Sequence, residues 1–180
     1  ALGYGFIPRS VVWNTAKKSN ERDLRVLSYN VYGLYSNNYA DNESKVKSLK
    51  RFMLDYGADI KCFQEFYSHE DRKAYRTINM MKEKYPHYAF IPLKEDFFEA
   101  KEKMGLAIFS KYPIIEKGNI ELPDSDNSII YADIRKGKDT IRVYDMHLQS
   151  ISQVTAYQQC LAILRHTWLI RIGRTFSLIL

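Results

Sequence analysis

A chain of 180 residues that is 46% hydrophobic and 27% charged can bury a core of its own, which excludes collagen-like, mucin-like and wholly disordered classes. Twenty-seven Lys and Arg against 21 Asp and Glu leave a net charge of +6, a balance that favours polyanions such as nucleic acid, anionic lipid or phosphorylated molecules. Cys62 and Cys160 stand far apart with no C-x-x-C or C…H spacing, which argues against a zinc site or redox motif, so both read as small buried hydrophobes.

In chain order, residues 1–20 read as a linker: the apolar stub Ala1 to Pro8 followed by Arg9, Lys17 and Lys18 is also what the exit of a lost membrane helix looks like. Residues 24–31 (LRVLSYNV) are β-branched and apolar enough for a buried strand before the turn-prone Tyr32-Gly33. From Ser44, which suits an N-cap, Val46, Leu49, Phe52, Met53 and Tyr56 recur at helical spacing until Gly57, which suits a C′ position. Residues 58–64 (ADIKCFQ) predict a short strand, and residues 70–85 a second amphipathic helix stopped by Pro86.

Further strands are predicted over 87–91, 105–110, 114–122, 129–135 and 140–148, with Lys136-Gly137-Lys138-Asp139 as the hairpin between the last two. The charged stretch 94–103 reads as a surface excursion. Two βα units followed by closely spaced strands make an α/β pattern with mixed strand pairing. Past Asp145 there is no Asp or Glu, and residues 161–172 (LAILRHTWLIRI) are apolar on almost every helical face. That segment could be a helix buried by a missing part of the protein, a membrane-surface helix or a tail foreign to the fold; residues 153–180 are an atypical basic apolar tail.

Three polar groups fall at the ends of three predicted strands, where α/β folds collect ligand-binding residues: Asn30, the Gln64-Glu65 pair and His147. Without a second cluster of carboxylates or cysteines they make a poor zinc set but a credible share of a magnesium site. Mg²⁺ takes oxygen ligands, keeps several waters and is commonly anchored by one or two carboxylates plus substrate phosphate oxygens. An Asn adds an oriented amide, and a His near neutrality can donate a hydrogen bond or a proton to a phosphoryl oxygen.

The strings LRVLSYNVYGL (24–34), DIKCFQEFYS (59–68), MGLAIFSKYPII (104–115) and IRVYDMHLQS (141–150) resemble, in order and spacing, the endonuclease/exonuclease/phosphatase superfamily, over residues 21 to about 150. The detail of QEFYS, IFSKYPII and HLQS is most similar to membrane-anchored members from Bacteroidetes. The resemblance implies a deoxyribonuclease I-like α/β sandwich with mixed β-sheets, truncated here to roughly its first half, with the partial domain spanning 21–152. It implies Glu65 as metal ligand, Asn30 as support for metal and phosphate binding, and His147 as the group that hydrogen-bonds the scissile phosphate or assists the leaving group. Asp145 departs from the pattern, in which near relatives usually have Asn, and places an extra negative charge near the phosphate.

The same resemblance implies metal-dependent hydrolysis of phosphoesters in the complete protein, with Mg²⁺ or Mn²⁺ as cofactor. The implied substrate is nucleic acid, a phosphorylated small molecule or a lipid, and association with a membrane runs through lost amino-terminal helices. The family's Asp-x-Asn and Asp-His motifs are not in the chain: no Asp has Asn two places on, and His69, His87, His147 and His166 follow Ser, Pro, Met and Arg. The chain by itself is therefore expected to be inactive. The alternative is a non-catalytic or degenerate module that binds phosphorylated ligands or a protein partner.

Overall fold

The computed structural model describes residues 24–35, 43–92, 101–121, 128–147 and 175–179. Two four-stranded sheets organise them. The first runs β1 (Val26–Asn30), β2 (Ile60–His69), β4 (Glu102–Ser110), β3 (His87–Pro92) in spatial order, with β1 parallel to β2 and the other pairs antiparallel. The second runs β5 (Ile114–Glu121), β6 (Ser128–Lys136), β7 (Asp139–Met146), β8 (Thr175–Ile179), antiparallel except for the parallel β7–β8 pair. This is the mixed, two-sheet sandwich expected. The segment read as an atypical tail contributes β8.

The sheets pack face to face through a layer built by period-two alternation. Ile60, Cys62, Ala89, Leu106 and Ile108 of the first sheet meet Ile130, Ala132, Ile134 and Val143 of the second, all buried. Cys62 is thus the buried hydrophobe expected, with its thiol pushed up by burial first and by Asp145 second; Cys160 lies outside the described residues. The other face of the first sheet presents Phe63, Phe66, Tyr67 and Phe109 to Met53 of α1 (Glu43–Asp55), Met81 of α2 (Thr77–Lys82) and Tyr85. The hairpin between β6 and β7 closes with two residues, and Gly137 sits there at φ 63°, a left-handed conformation that only glycine takes without strain.

Several local expectations are corrected. Ser44 lies inside α1, which begins at Glu43, so it is not the N-cap. Gly57 is not a left-handed C′ residue. The helix end is satisfied instead from β2, where the buried Lys61 ammonium donates to the carbonyls of Met53 and Leu54 and stands 4.4 Å from the Tyr85 ring centroid. Burial, with Lys111 and Lys84 adding to it, lowers the Lys61 pKa to about 8.

The helix predicted over residues 70–85 shrinks to α2, preceded by a 3₁₀ turn at Lys73–Tyr75. Side chains claim the backbone ahead of it: His69 Nδ1 accepts the N–H groups of Asp71 and Arg72 at 3.1 Å, and Thr77 Oγ1 donates to Tyr67 O at 2.6 Å. The strand predicted to stop at Gln64 runs on to His69, and β4 begins at Glu102, inside the stretch read as a surface excursion. Among the described residues no helix is long and apolar enough to cross a membrane.

Candidate active site

Asn30 closes β1 and pairs in register with Gln64 of the neighbouring β2. The next residues turn back sharply: Tyr32, Gly33 and Leu34 all have positive φ (50°, 56° and 54°), and Leu34 N–H donates to Val31 O at 3.0 Å. Two non-glycine residues in that region are strained, and the turn is anchored by the buried side chains of Val31 and Leu34. Its consequence for the site is direct. Tyr32 N–H donates to Asn30 Oδ1 at 2.8 Å, which fixes the amide so that Asn30 Nδ2 faces Glu65 Oε1 at 2.9 Å.

Glu65 is not at a strand end but in the middle of β2, on a bulge. The β2–β4 register passes from Phe63 opposite Ala107 to Phe66 opposite Gly105, so Gln64 and Glu65 together face Leu106 alone, and Glu65 takes φ 52°. In a regular strand, successive side chains point to opposite faces. Here the extra residue lets Gln64 and Glu65 both serve the side facing β7 while Phe66 returns to the helix-covered core. Across the bulge on β4 stands Gly105, which β3 approaches so closely that an added Cβ would lie 1.9 Å from Ile91 O.

His147 comes from the second sheet, one residue past the end of β7, so that strand stops short of the predicted Leu148. Its Nε2 lies 3.4 Å from Glu65 Oε1. The three sequence-identified residues are therefore brought together: one carboxylate oxygen meets an amide from β1 and an imidazole from β7. Both Glu65 and His147 remain partly accessible, with side chains 23% and 30% exposed, so a ligand can reach them.

Behind this cluster lies a polar row within the space between the sheets. Gln64 Nε2 donates to Ser28 Oγ at 3.2 Å and to Asp145 Oδ1. Asp145 is fully buried, and among the described residues its Oδ2 has no hydrogen-bond partner. Burial pushes its pKa up to about 7, against the opposing pull of the Gln64 hydrogen bond and of the Met146 and Ala107 backbone. Asp145 thus enters the site from behind, by way of Gln64, rather than as a charge facing solvent. Alternation could have found Ser28, which, like the Asp145 already marked in the sequence, stands two places before a site residue on its own strand.

Among the described residues no group of three or more His, Cys, Asp or Glu side chains forms a cage for an ion. The donor set suits a hard cation that shares its shell with waters and substrate. Glu65 Oε1 is held by Asn30 and His147, and among the described residues Glu65 Oε2 has no hydrogen-bond partner.

The sequence profile of the Endonuclease/Exonuclease/phosphatase family matches residues 27–174, and the chain belongs to that family. The match reaches past the motifs that carry the resemblance. No curated protein matches the sequence. Among solved structures, a beta hairpin deletion mutant of beta toxin from Staphylococcus aureus aligns with a TM-score of 0.63 at 22% identity, over 87% of this chain and 65% of that one. Sphingomyelinase C from Streptomyces griseocarneus aligns at 0.63 with 20% identity, over 87% and 62%. An endonuclease/exonuclease/phosphatase family protein from Leptotrichia buccalis C-1013-b aligns at 0.63 with 13% identity, over 87% and 66%. These likenesses establish the deoxyribonuclease I-like fold. The chain spans less than two thirds of the length of each of these structures.

Proposed function

We propose that the chain is part of a divalent-metal-dependent phosphoester hydrolase. The observation that carries this is the meeting of Asn30 on β1, Glu65 on β2 and His147 just past β7 in one partly open cluster, with Asn30 hydrogen-bonded to Glu65 and His147 Nε2 3.4 Å from the same carboxylate oxygen. Glu65 holds Mg²⁺ or Mn²⁺, with Asn30 orienting its carboxylate. A bound cation of this kind polarises a phosphoryl oxygen and offsets the charge that develops on it. His147 donates from Nε2 to a phosphoryl oxygen as the bond to the leaving group lengthens, and Gln64, tied to Ser28 and Asp145, keeps the bulge in place. The net charge of +6 suits nucleic acid, phosphorylated small molecules and lipids alike. The likeness to a sphingomyelinase adds sphingomyelin to the substrates worth testing.

A second reading is a non-catalytic domain that binds phosphorylated ligands. What favours it is the sequence itself, which has no Asp-x-Asn and no Asp-His pair to activate water. One experiment addresses both. Mn²⁺ is titrated into the chain and into Glu65→Gln, and turnover of bis(p-nitrophenyl) phosphate is followed with Mg²⁺ or Mn²⁺. The expected result is saturable Mn²⁺ binding, weakened at least roughly tenfold by loss of the carboxylate charge, with no turnover by the chain alone. In a chain extended through the family's remaining length, His147→Ala is expected to lower kcat by about a hundredfold while metal affinity holds. Unchanged Mn²⁺ affinity in Glu65→Gln would sink the assignment.

A further inference from the structure

Strand β2 continues four residues past Glu65, about 13 Å at strand spacing, and ends at His69 beside a separate polar cavity. The cavity encloses about 300 Å³ and is lined by Ser68, His69, Arg76, Asn79, Tyr88 and Lys103, together with Glu70 and Ile78. Its chemistry is that of a donor-rich pocket. His69 is only 6% exposed, and its Nδ1 accepts two backbone N–H groups, which leaves the ring proton on Nε2. Among the described residues Nε2 has no partner. A donor on a nearly buried side chain that lines a cavity without a partner is matched by a ligand that accepts.

The charges around it favour an anion. Arg76 donates Nε to Glu70 O at 2.8 Å, a backbone contact, and its guanidinium forms no ion pair among the described residues. Lys103 is paired with Glu70, which it holds below the usual carboxylate range by a hydrogen bond first and by its charge second. Asp71 is taken by Lys101. The single acid in the lining is therefore neutralised by one cation, and Arg76 supplies an excess positive charge next to the His69 donor.

We propose that this cavity is a phosphate-binding site, distinct from the Glu65 cluster, in which His69 Nε2–H and the Arg76 guanidinium hold the oxygens of a phosphate group, with Asn79 and Lys103 at the rim. A phosphate suits the site because it offers several acceptor oxygens to donors of differing direction, and Arg matches it with a planar fork. The proposal does not rest on the phosphoesterase reading, since none of its residues belongs to that site.

The test is a titration of inorganic phosphate into the full chain, followed through the His69 ring signals by NMR, with glycerol phosphate and a 5′-phosphorylated dinucleotide as parallel arms. A saturable shift at His69 is expected, and Arg76→Ala should weaken it by roughly tenfold or more, as loss of a charge-assisted contact implies. Lys103→Gln, at a side chain exposed enough to leave folding intact, should weaken it by a smaller factor, and Lys138→Gln, exposed in the hairpin between β6 and β7, by none. Tighter binding of the dinucleotide or of glycerol phosphate identifies whether the phosphate arrives on a strand end or a small molecule. No saturable shift at His69 in any arm, or equal affinity in Arg76→Ala, overturns the proposal. Since Mn²⁺ binding at Glu65 is read separately, failure here leaves that reading standing.

Discussion

The hairpin of β6 and β7 carries two buried carboxylates on opposite faces, and they are treated differently. Asp133 lies directly across from Arg142, on the face turned away from the first sheet, and is met by two short hydrogen bonds, Nε to Oδ1 at 2.6 Å and Nη2 to Oδ2 at 2.7 Å. The same guanidinium stands 4.3 Å from the Tyr131 ring centroid and 3.7 Å from Glu116, and its hold on Asp133 raises its own pKa further. Asp145, three residues on along β7, faces the space between the sheets, where a neutral amide takes one oxygen and, among the described residues, no hydrogen-bond partner meets the other. One carboxylate is fully satisfied and serves the fold. The other is buried with one oxygen unmet and stands directly behind Gln64 and Glu65, which is where a protein tolerates an unsatisfied group for the sake of a site.

The largest effect should come from breaking the satisfied pair. Arg142→Ala strands a buried charge, and destabilisation of about 3–5 kcal/mol is expected, read as a lower midpoint in urea unfolding. A loss below about 1 kcal/mol would mean that solvent reaches Asp133 and that the pair with Arg142 does not hold the fold.

Asp145 should respond in the opposite direction. Its folded pKa of about 7 lies above the ordinary value of 3.8, so the native state prefers the neutral acid. Its contribution is fully present below about pH 4 and is lost as pH rises through about 7, a change of roughly 2–4 kcal/mol on the linkage relation. Asp145→Asn keeps an acceptor for Gln64 and removes the ionisation. It should flatten that part of the stability–pH curve and raise the thermal midpoint at pH 8, measured by circular dichroism from pH 4 to 8. A variant with the slope unchanged would show that Asp145 does not titrate there.

The smallest stability effect is expected at the front of the site. Asn30→Ala releases Glu65 from one partner at an accessible position, so global stability should change by less than about 1 kcal/mol. Mn²⁺ affinity should nevertheless fall, because the carboxylate loses the contact that orients it. If affinity held while stability dropped by several kcal/mol, Asn30 would be a structural residue like Asp133 rather than a site residue.

Much of this architecture arises from local pattern. Strands β1 to β7, the 136–139 hairpin and the α1 face were readable because period-two and helical alternation are properties of neighbouring residues, and Asn30, Glu65 and His147 were marked by type and position; β8, inside the segment read as an atypical tail, was not. The sandwich itself and its family came from motifs whose order survives in the linear chain. What the tertiary structure alone decided is how these pieces meet. Whether residues 70–76 would form a helix depended on the His69 and Thr77 side chains claiming the backbone first, and the end of α1 depended on a lysine from the next strand rather than on Gly57. The bulge that turns Glu65 toward Asn30 and His147 is seen only in the pairing of β2 with β4, where Gln64 and Glu65 share one partner before Phe66 returns to the core beneath α1 and α2. Each of these depends on contacts between segments distant in sequence, and no alternation of adjacent residues carries that information.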